Sequence, residues 1–282
     1  MKKIILVCLM FGGYLLHAAP AVDIVSAPGE LNAFLTGGHV QGFTCSSNAL
    51  YLSQAAHLAK LDWDGHVLKV IEVPSHLGDI SYLNGRVYGA FGLRGKRTGG
   101  LVRVWDENLE QVAEVALAEG TGALCATPGG IFYSLGMGLQ MKKPHRVNRI
   151  GRMTLDLKPL DIVDVDYGYD TVYGVQSMGW CGDELICTFY GVKPKEGSAH
   201  PTARFDRSTL KALGADTFAA GEGFDFVPPS RRLSDVPEVL AVRALNGNYK
   251  KWSPENPPQV RLERWRYEKG RFVRVNKPDK RL

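Results

Sequence analysis

The chain has 282 residues, 45% hydrophobic and 22% charged, with 34 Lys and Arg against 29 Asp and Glu for a formal net charge of +5. This composition excludes a disordered, collagen-like or disulfide-dense chain, and the length is enough to bury a sizeable core. The small charge excess implies no particular partner, because two of the positive charges, Lys2 and Lys3, belong to a segment that a mature protein would lose.

That segment places Lys2 and Lys3 before an apolar run from Ile4 to Leu16 and the small residues Ala19-Pro20-Ala21, the order of a secretory signal peptide. Residues 1–21 are read as the signal and residues 22–282 as one exported domain, periplasmic or extracellular. The apolar run is too short to cross a bilayer comfortably, so no membrane span is expected. Cys8 lies inside the run, which argues against a lipid-anchored cysteine, and export argues against nucleic acid as a partner. No Ser/Gly-rich or Pro-rich linker divides residues 22–282.

Along this domain, short β-rich runs alternate with Gly, Asn and Asp turns, and helical periodicity is confined to a possible turn near residues 29–35. Five hairpins repeat a turn followed by two β-formers: Ser47-Asn48-Ala49-Leu50-Tyr51, Asn84-Gly85-Arg86-Val87-Tyr88, Pro128-Gly129-Gly130-Ile131-Phe132, Gly182-Asp183-Glu184-Leu185-Ile186 and, more loosely, Val236-Pro237-Glu238-Val239-Leu240. A third strand with a basic residue before an apolar one comes after each, at Lys60-Leu61, Arg103-Val104, Arg152-Met153, Arg204-Phe205 and Arg264-Trp265. Fourth strands are expected at residues 66–73, 111–117, 159–165, 212–218 and 271–275. Five consecutive four-strand antiparallel meanders predict an all-β chain folded as a five-bladed β-propeller, since radial repetition leaves only short, protected edges. Six or seven blades are the alternatives, because residues 22–26 could close the ring or belong to a degenerate extra blade.

In these repeats and turns the chain resembles the broad group of bacterial quinoprotein-like, YVTN-type and SMP-30-like propellers. The resemblance covers nearly all of residues 22–282 and is one of architecture. In SMP-30-like enzymes a Glu-Gly pair near the start supplies a metal-binding glutamate, joined by asparagines and an aspartate of later blades. The matching pair here, Glu222-Gly223, lies in the last blade without those asparagines, so no lactonase chemistry is carried over.

Beyond the signal there are four cysteines, Cys45, Cys125, Cys181 and Cys187, and an oxidising compartment permits three pairings among them. Buried free thiols are the plainer expectation. A turn at Gly182-Asp183 would set Cys181 opposite Glu184 and so keep Cys181 and Cys187 apart.

In a propeller the inner strands of all blades line one axis. Aligning the blades sets Gln41, Gly78, Gly122, Gln176 and Glu222 at one level, with His39 and His76 two residues earlier. His39, His76, Asp79 and Glu222 are therefore candidate ligands for one divalent metal, calcium, manganese or zinc, and His39, His76 and Glu222 are candidate acid and base groups. The plainer alternative is polar side chains that satisfy backbone and water in a narrow channel.

Connections between second and third strands open at the same end. Those at residues 92–100, 137–148, 191–201 and 246–258 carry ten basic and two acidic side chains, among them Arg94, Arg97, Lys142 and Arg146. With Tyr173, Tyr190, Trp252, Gln41 and Gln176 they suit an anionic carbohydrate or small metabolite, whose faces stack on rings while cations meet its acidic groups. The expectation is a monomeric binding protein for such a ligand. A metal-assisted hydrolase or polysaccharide (uronate) lyase at the same mouth, and a protein-interaction scaffold, are the alternatives. The sequence contains no nucleophile elbow, phosphate loop or His-Glu-x-x-His string.

Overall fold

A computed structural model describes residues 39–74, 76–92, 99–136, 145–171, 174–189, 201–220, 222–244 and 260–275. These residues form five four-stranded antiparallel sheets. Blade 1 contains β1 (Val40–Cys45), β2 (Leu50–Gln54), β3 (His57–Leu61) and β4 (Val67–Glu72); blade 2 contains β5 (Leu77–Leu83), β6 (Arg86–Gly92), β7 (Gly100–Asp106) and β8 (Gln111–Leu117). Blade 3 contains β9 (Leu124–Thr127), β10 (Gly130–Leu135), β11 (His145–Met153) and β12 (Pro159–Thr171), and blade 4 β13 (Val175–Cys181), β14 (Glu184–Phe189), β15 (Thr202–Asp206) and β16 (Ala212–Asp216). Blade 5 contains β17 (Phe224–Phe226), β18 (Glu238–Ala244), β19 (Val260–Glu268) and β20 (Arg271–Arg274). Inner strands β1, β5, β9, β13 and β17 pack each against the next, and β17 packs against β1, so five blades close the ring. Residues 1–21, 22–26 and 29–35 lie outside the described residues.

Burial depends on radial position. All residues of β1, β2, β9 and β10 are buried, because neighbouring blades cover both faces, and such strands read as continuous apolar or small runs. The outer strand β8 shows no buried residue and alternates exposed with partly buried positions, as a strand with one wet face does.

Local turn chemistry repeats with the blades. Asn84 (φ 48°) and Gly85 (φ 78°) form the tight β5–β6 hairpin, with left-handed conformations that Asn and Gly adopt at little cost. Turns between third and fourth strands are nucleated by a side-chain oxygen: Asp62 Oδ1 accepts from the Asp64 and His66 amides, Asp106 Oδ1 from Asn108 and Glu110, and Asp206 Oδ1 from Ser208 and Thr209. Leu109, Leu157 and Leu210 hold left-handed φ of 60°, 62° and 55° in these turns. Each is buried in a cluster between blades, so apolar burial offsets the backbone strain.

The basic residue of each third strand also has a structural task. Lys60 Nζ donates to the Glu107 carbonyl at 2.7 Å and Arg152 Nη1 to the Ser208 carbonyl at 3.2 Å, each in the outer turn of the next blade. Arg204 lies under Gly270 of the blade 5 turn, where a Cβ would collide with its guanidinium, and it pairs with Glu184 at 2.9 Å. Lys60, Arg152 and Arg204 thus pin successive blades together, while Arg103 and Arg264 pair with Glu114 and Glu238 inside their own blades.

At the axis the blades meet backbone to backbone. A Cβ on Gly42 would fall 2.6 Å from Asp79 Cα; one on Gly78 would strike the Gly122 carbonyl, and one on Gly223 would strike Phe43 N and Gly42. Side chains of the inner strands then catch N–H groups of other blades. Asp225 Oδ2 accepts from Thr44 Oγ1 (2.5 Å) and Cys45 N (3.0 Å), joining blade 5 to blade 1. Thr44 Oγ1 in turn accepts from Tyr82 N, and Ser81 Oγ from Ala126 N, carrying the linkage through blades 2 and 3. Cys45, Cys125, Cys181 and Cys187 are free thiols, and Cys181 pairs with Glu184 across the hairpin.

Loss of hydration between the blades raises the Asp225 carboxyl from 3.8 to about 6, against the lowering effect of its bonds from Thr44, Cys45 and Phe226. A carboxyl with a raised folded pKa binds more protons in the native state, so its contribution falls as pH rises from about 4 to about 6. Asp225→Asn removes that slope. Chemical denaturation of both proteins at pH 4 and pH 7.5 should show wild type losing about 2 to 3 kcal/mol relative to the variant across the window; parallel profiles would contradict this.

Candidate functional site at the axial mouth

The inner strands start at one end of the ring, and three of them carry a bulge there. Val40 pairs with Gln54 and Gly42 with Ser53, leaving Gln41 as the extra residue. Gly78 and Asp79 lie between the Leu77–Phe91 and Ile80–Gly89 pairs, and Gln176 lies between Val175–Phe189 and Ser177–Thr188. A bulge leaves a residue unpaired in the ladder and re-aims its side chain. Gln41, Gly78 and Gln176 occupy equivalent bulge positions, the level at which the sequence aligns them.

At the first bulge three polar side chains converge. Gln41 Nε2 is 2.5 Å from His39 Nε2 and 3.2 Å from His76 Nε2. The two imidazole centroids are 6.4 Å apart with the rings inclined at 65°. Gln41, His76 and Gln176 are all buried, and His39 is partly buried. The β6–β7 connection leaves beside this cluster, since Gly92 N donates to the His76 carbonyl at 3.2 Å.

Asp79 stands apart from the cluster chemically. It is fully buried, with Oδ1 accepting from Ser177 Oγ at 3.0 Å and Oδ2 from Met178 N at 2.8 Å, while its own N–H donates to the Gly122 carbonyl at 2.9 Å. It therefore ties blade 2 to blade 4 across the axis. Burial drives its carboxyl well above the usual range, against the bonds from Met178, Ser177 and Ile80. Glu222, at the start of blade 5, is pushed up by burial and drawn partly back by Arg243.

His39, His76, Asp79 and Glu222 do not bring three ligand atoms within 4.8 Å of one another; among the described residues that spacing occurs at Asp62, Asp64 and His66. Those three lie on the β3–β4 turn, where Asp62 already anchors the turn. A cavity of about 640 Å³ between blades 3 and 4 also lies at the hairpin end, lined by Phe132, Arg152, Asp183 and Arg207, remote from the mouth.

Arg94, Arg97, Lys142, Tyr173, Tyr190 and Trp252 lie outside the described residues. Arg146 is described, and its Nε donates to both Asp166 oxygens at 2.7 and 2.9 Å. Asp166 belongs to a part of β12 beyond the expected end of the fourth strand at residue 165: β12 continues to Thr171 because Val165 and Tyr167 keep the inward alternation, Tyr167 packing on Phe189 and Phe205 of blade 4. The continuing Asp-Val-Asp-Tyr alternation is the sequence signal for this extension. Asp166 partly offsets the positive charge of that connection.

No protein-family model matches the chain, and no curated protein sequence matches it. Similar solved structures include the glutaminyl cyclase of Myxococcus xanthus, with a TM-score of 0.56 and 13% identity over 86% of this chain and 93% of that one. Another is a GH43_1 enzyme from Xanthomonas citri, with a TM-score of 0.55 and 11% identity over 92% of this chain and 96% of that one. At such identities the likeness is one of fold, and it agrees with the class defined by the five closed sheets: a five-bladed β-propeller.

Asp79→Ala would leave Ser177 Oγ and Met178 N without their shared acceptor and open a void at the axis. A loss of about 3 kcal/mol is expected, and thermal unfolding should show the same drop with and without EDTA. A drop that EDTA abolishes would mean that Asp79 acts through a metal.

Proposed function

We propose that the protein is exported and, as a monomer, binds an anionic carbohydrate or carboxylated, sulfated or phosphorylated metabolite at the axial mouth. The observation that supports this most directly is the largely buried His39–Gln41–His76 cluster on the bulged starts of β1 and β5. Buried polar groups cost stability unless they are partnered, and here they gather at the end of the blades whose four connections carry ten basic side chains in the sequence. A cationic rim around a concavity concentrates anions. Tyr173 and Tyr190 flank β13 and β14 in sequence beside Gln176, and with Trp252 they would supply stacking faces.

Glu222 favours a second reading. A carboxyl that burial pushes upward, aligned with Gln41 and two positions on from the level of an imidazole pair, is the equipment of an acid–base catalyst, and a uronate lyase or a hydrolase is the reaction class that an anionic sugar suggests. His39, His76 and Glu222 would then share the acid and base roles. The resemblance to quinoprotein-like, YVTN-type and SMP-30-like propellers adds architecture to either reading and no specific reaction.

Calorimetric titration with glucuronate and with a sulfated monosaccharide tests the proposal. Binding should weaken by about tenfold between roughly 20 mM and 300 mM salt, and should weaken further when Arg94, Arg97 and Lys142 are changed to Gln. Absence of any anion binding at low salt would sink it and leave an interaction scaffold. Cleavage of a polyuronate by the wild type, lost in Glu222→Gln, would replace binding with the enzymatic reading.

A further inference from the structure

The cavity of about 640 Å³ at the hairpin end has two walls from different blades. Blade 3 contributes the β9–β10 hairpin at Gly129 and Gly130, with Phe132 and Leu160, and blade 4 contributes Asp183 and Arg207 from its turns. The bond from Arg152 Nη1 to the Ser208 carbonyl joins the two walls at 3.2 Å. A volume of this size is ordinary for a small-ligand site, which combines an apolar lining with a few polar groups.

Most charged side chains around the cavity are already engaged. Arg152 Nε donates to Asp161 Oδ1 at 2.6 Å and its Nη2 to Oδ2, while Asp206 Oδ1 accepts from the amides and hydroxyls of Ser208 and Thr209. Arg207 differs. A guanidinium carries five N–H donors, yet that of Arg207 makes no hydrogen bond among the described residues. Trp180 supports one of its faces, with the guanidinium carbon 5.2 Å from the ring centroid. Asp183 Oδ1 stands 3.7 Å away on a side chain that is 96% exposed, too long for a hydrogen bond and too wet to contribute much. The Arg207 side chain itself is 25% exposed, so a partly desolvated donor fork is held ready in the cavity wall.

We infer that this cavity is a second binding site, for a small monocarboxylate with an apolar body, whose carboxylate pairs with Arg207 while its body lies on Phe132 and Leu160. A guanidinium fork matches a carboxylate with two parallel hydrogen bonds. The carboxylates of Asp161, Asp183 and Asp206 also line the cavity, and their charge disfavours a phosphate or a dicarboxylate. Ile131, Phe132 and Met153 supply apolar surface that would leave the hydroxyls of a sugar acid unpartnered. Leu160 is exposed, and an apolar body in the cavity would cover it. The axial mouth and this cavity therefore select different anions.

The glycine hairpin leaves the space beside the guanidinium open. A Cβ at Gly129 would lie 3.8 Å from Thr127 Oγ1 and 3.9 Å from Arg207 Nη1, both ordinary contacts. Gly130, at φ 132°, carries the positive φ of this turn and Gly129 does not. A larger residue at position 129 is therefore accepted by the backbone and stands where the ligand's carboxylate would sit.

Amide chemical-shift mapping with 3-phenylpropanoate tests the site. Saturable changes are expected at Gly129, Gly130, Trp180 and Arg207, with Gln41, His76 and Gln176 unmoved. Arg207→Gln should weaken binding by about tenfold or more, as should replacing the probe with its uncharged amide, 3-phenylpropanamide. Gly129→Leu should block the site while melting as the wild type does. Should Arg207→Gln melt lower through its lost stacking on Trp180, Gly129→Leu decides, because it leaves that guanidinium in place. No saturable change up to about 10 mM probe, equal affinity for the amide, or binding that survives Gly129→Leu would overturn the inference. Glucuronate reads the axial mouth and 3-phenylpropanoate this cavity, so either site can fail without the other.

Discussion

Everything in this molecule depends on how closely five inner strands can approach one axis. Gly42 against Asp79, Gly78 against Gly122 and Gly223 against Phe43 leave no room for a Cβ, so the ring closes at backbone contact distance. Closure at that radius strands polar groups in the interior, and unpartnered buried groups are costly. Asp225, Thr44, Ser81 and Asp79 answer that cost by pairing N–H and hydroxyl groups of other blades. The carboxylates of Asp79 and Asp225 are thereby structural groups with raised proton affinity, and their perturbed titration is a consequence of closure.

The two ends of the ring have different tasks. At the hairpin end, turn carboxylates shape the outer turns and third-strand cations fasten blade to blade, as Lys60 does to Glu107 and Arg152 to Ser208. Charge is used there for assembly, Arg207 excepted. At the opposite end, bulges release Gln41 and Gln176 from the ladder, and the longer connections emerge. Polar side chains that assembly does not consume gather at that end, which is why the functional proposal is centred there.

Much of this was legible in the sequence because blades repeat. The five hairpins and the basic third strands locate the strands, and the Gly182-Asp183 turn sets Cys181 opposite Glu184. Equivalence of Gln41, Gly78 and Gln176 also comes from aligning copies. Other features were hidden because alternation patterns do not show bulges. Asp79 reads as a neighbour of His76 at the mouth, yet the two-residue bulge at Gly78 and Asp79 turns its carboxylate inward to Ser177 and Met178. The cations of the third strands read as a repeat marker, and only the packing of blade on blade reveals Lys60, Arg152 and Arg204 as pins. The 13-residue β12 outruns its expected end because Tyr167 finds an apolar seat on blade 4 that local pattern cannot supply.

The proposed point of ligand entry is where the bulged inner strands begin. Amide chemical-shift mapping of the labelled protein during titration with glucuronate tests it most directly. Saturable changes are expected at Gln41, Gly42, His76, Leu77 and Gln176, with the outer turns at Asp62, Asp106 and Asp206 unmoved. Changes concentrated at those turns, or in the cavity beside Arg207, with a silent mouth would contradict it.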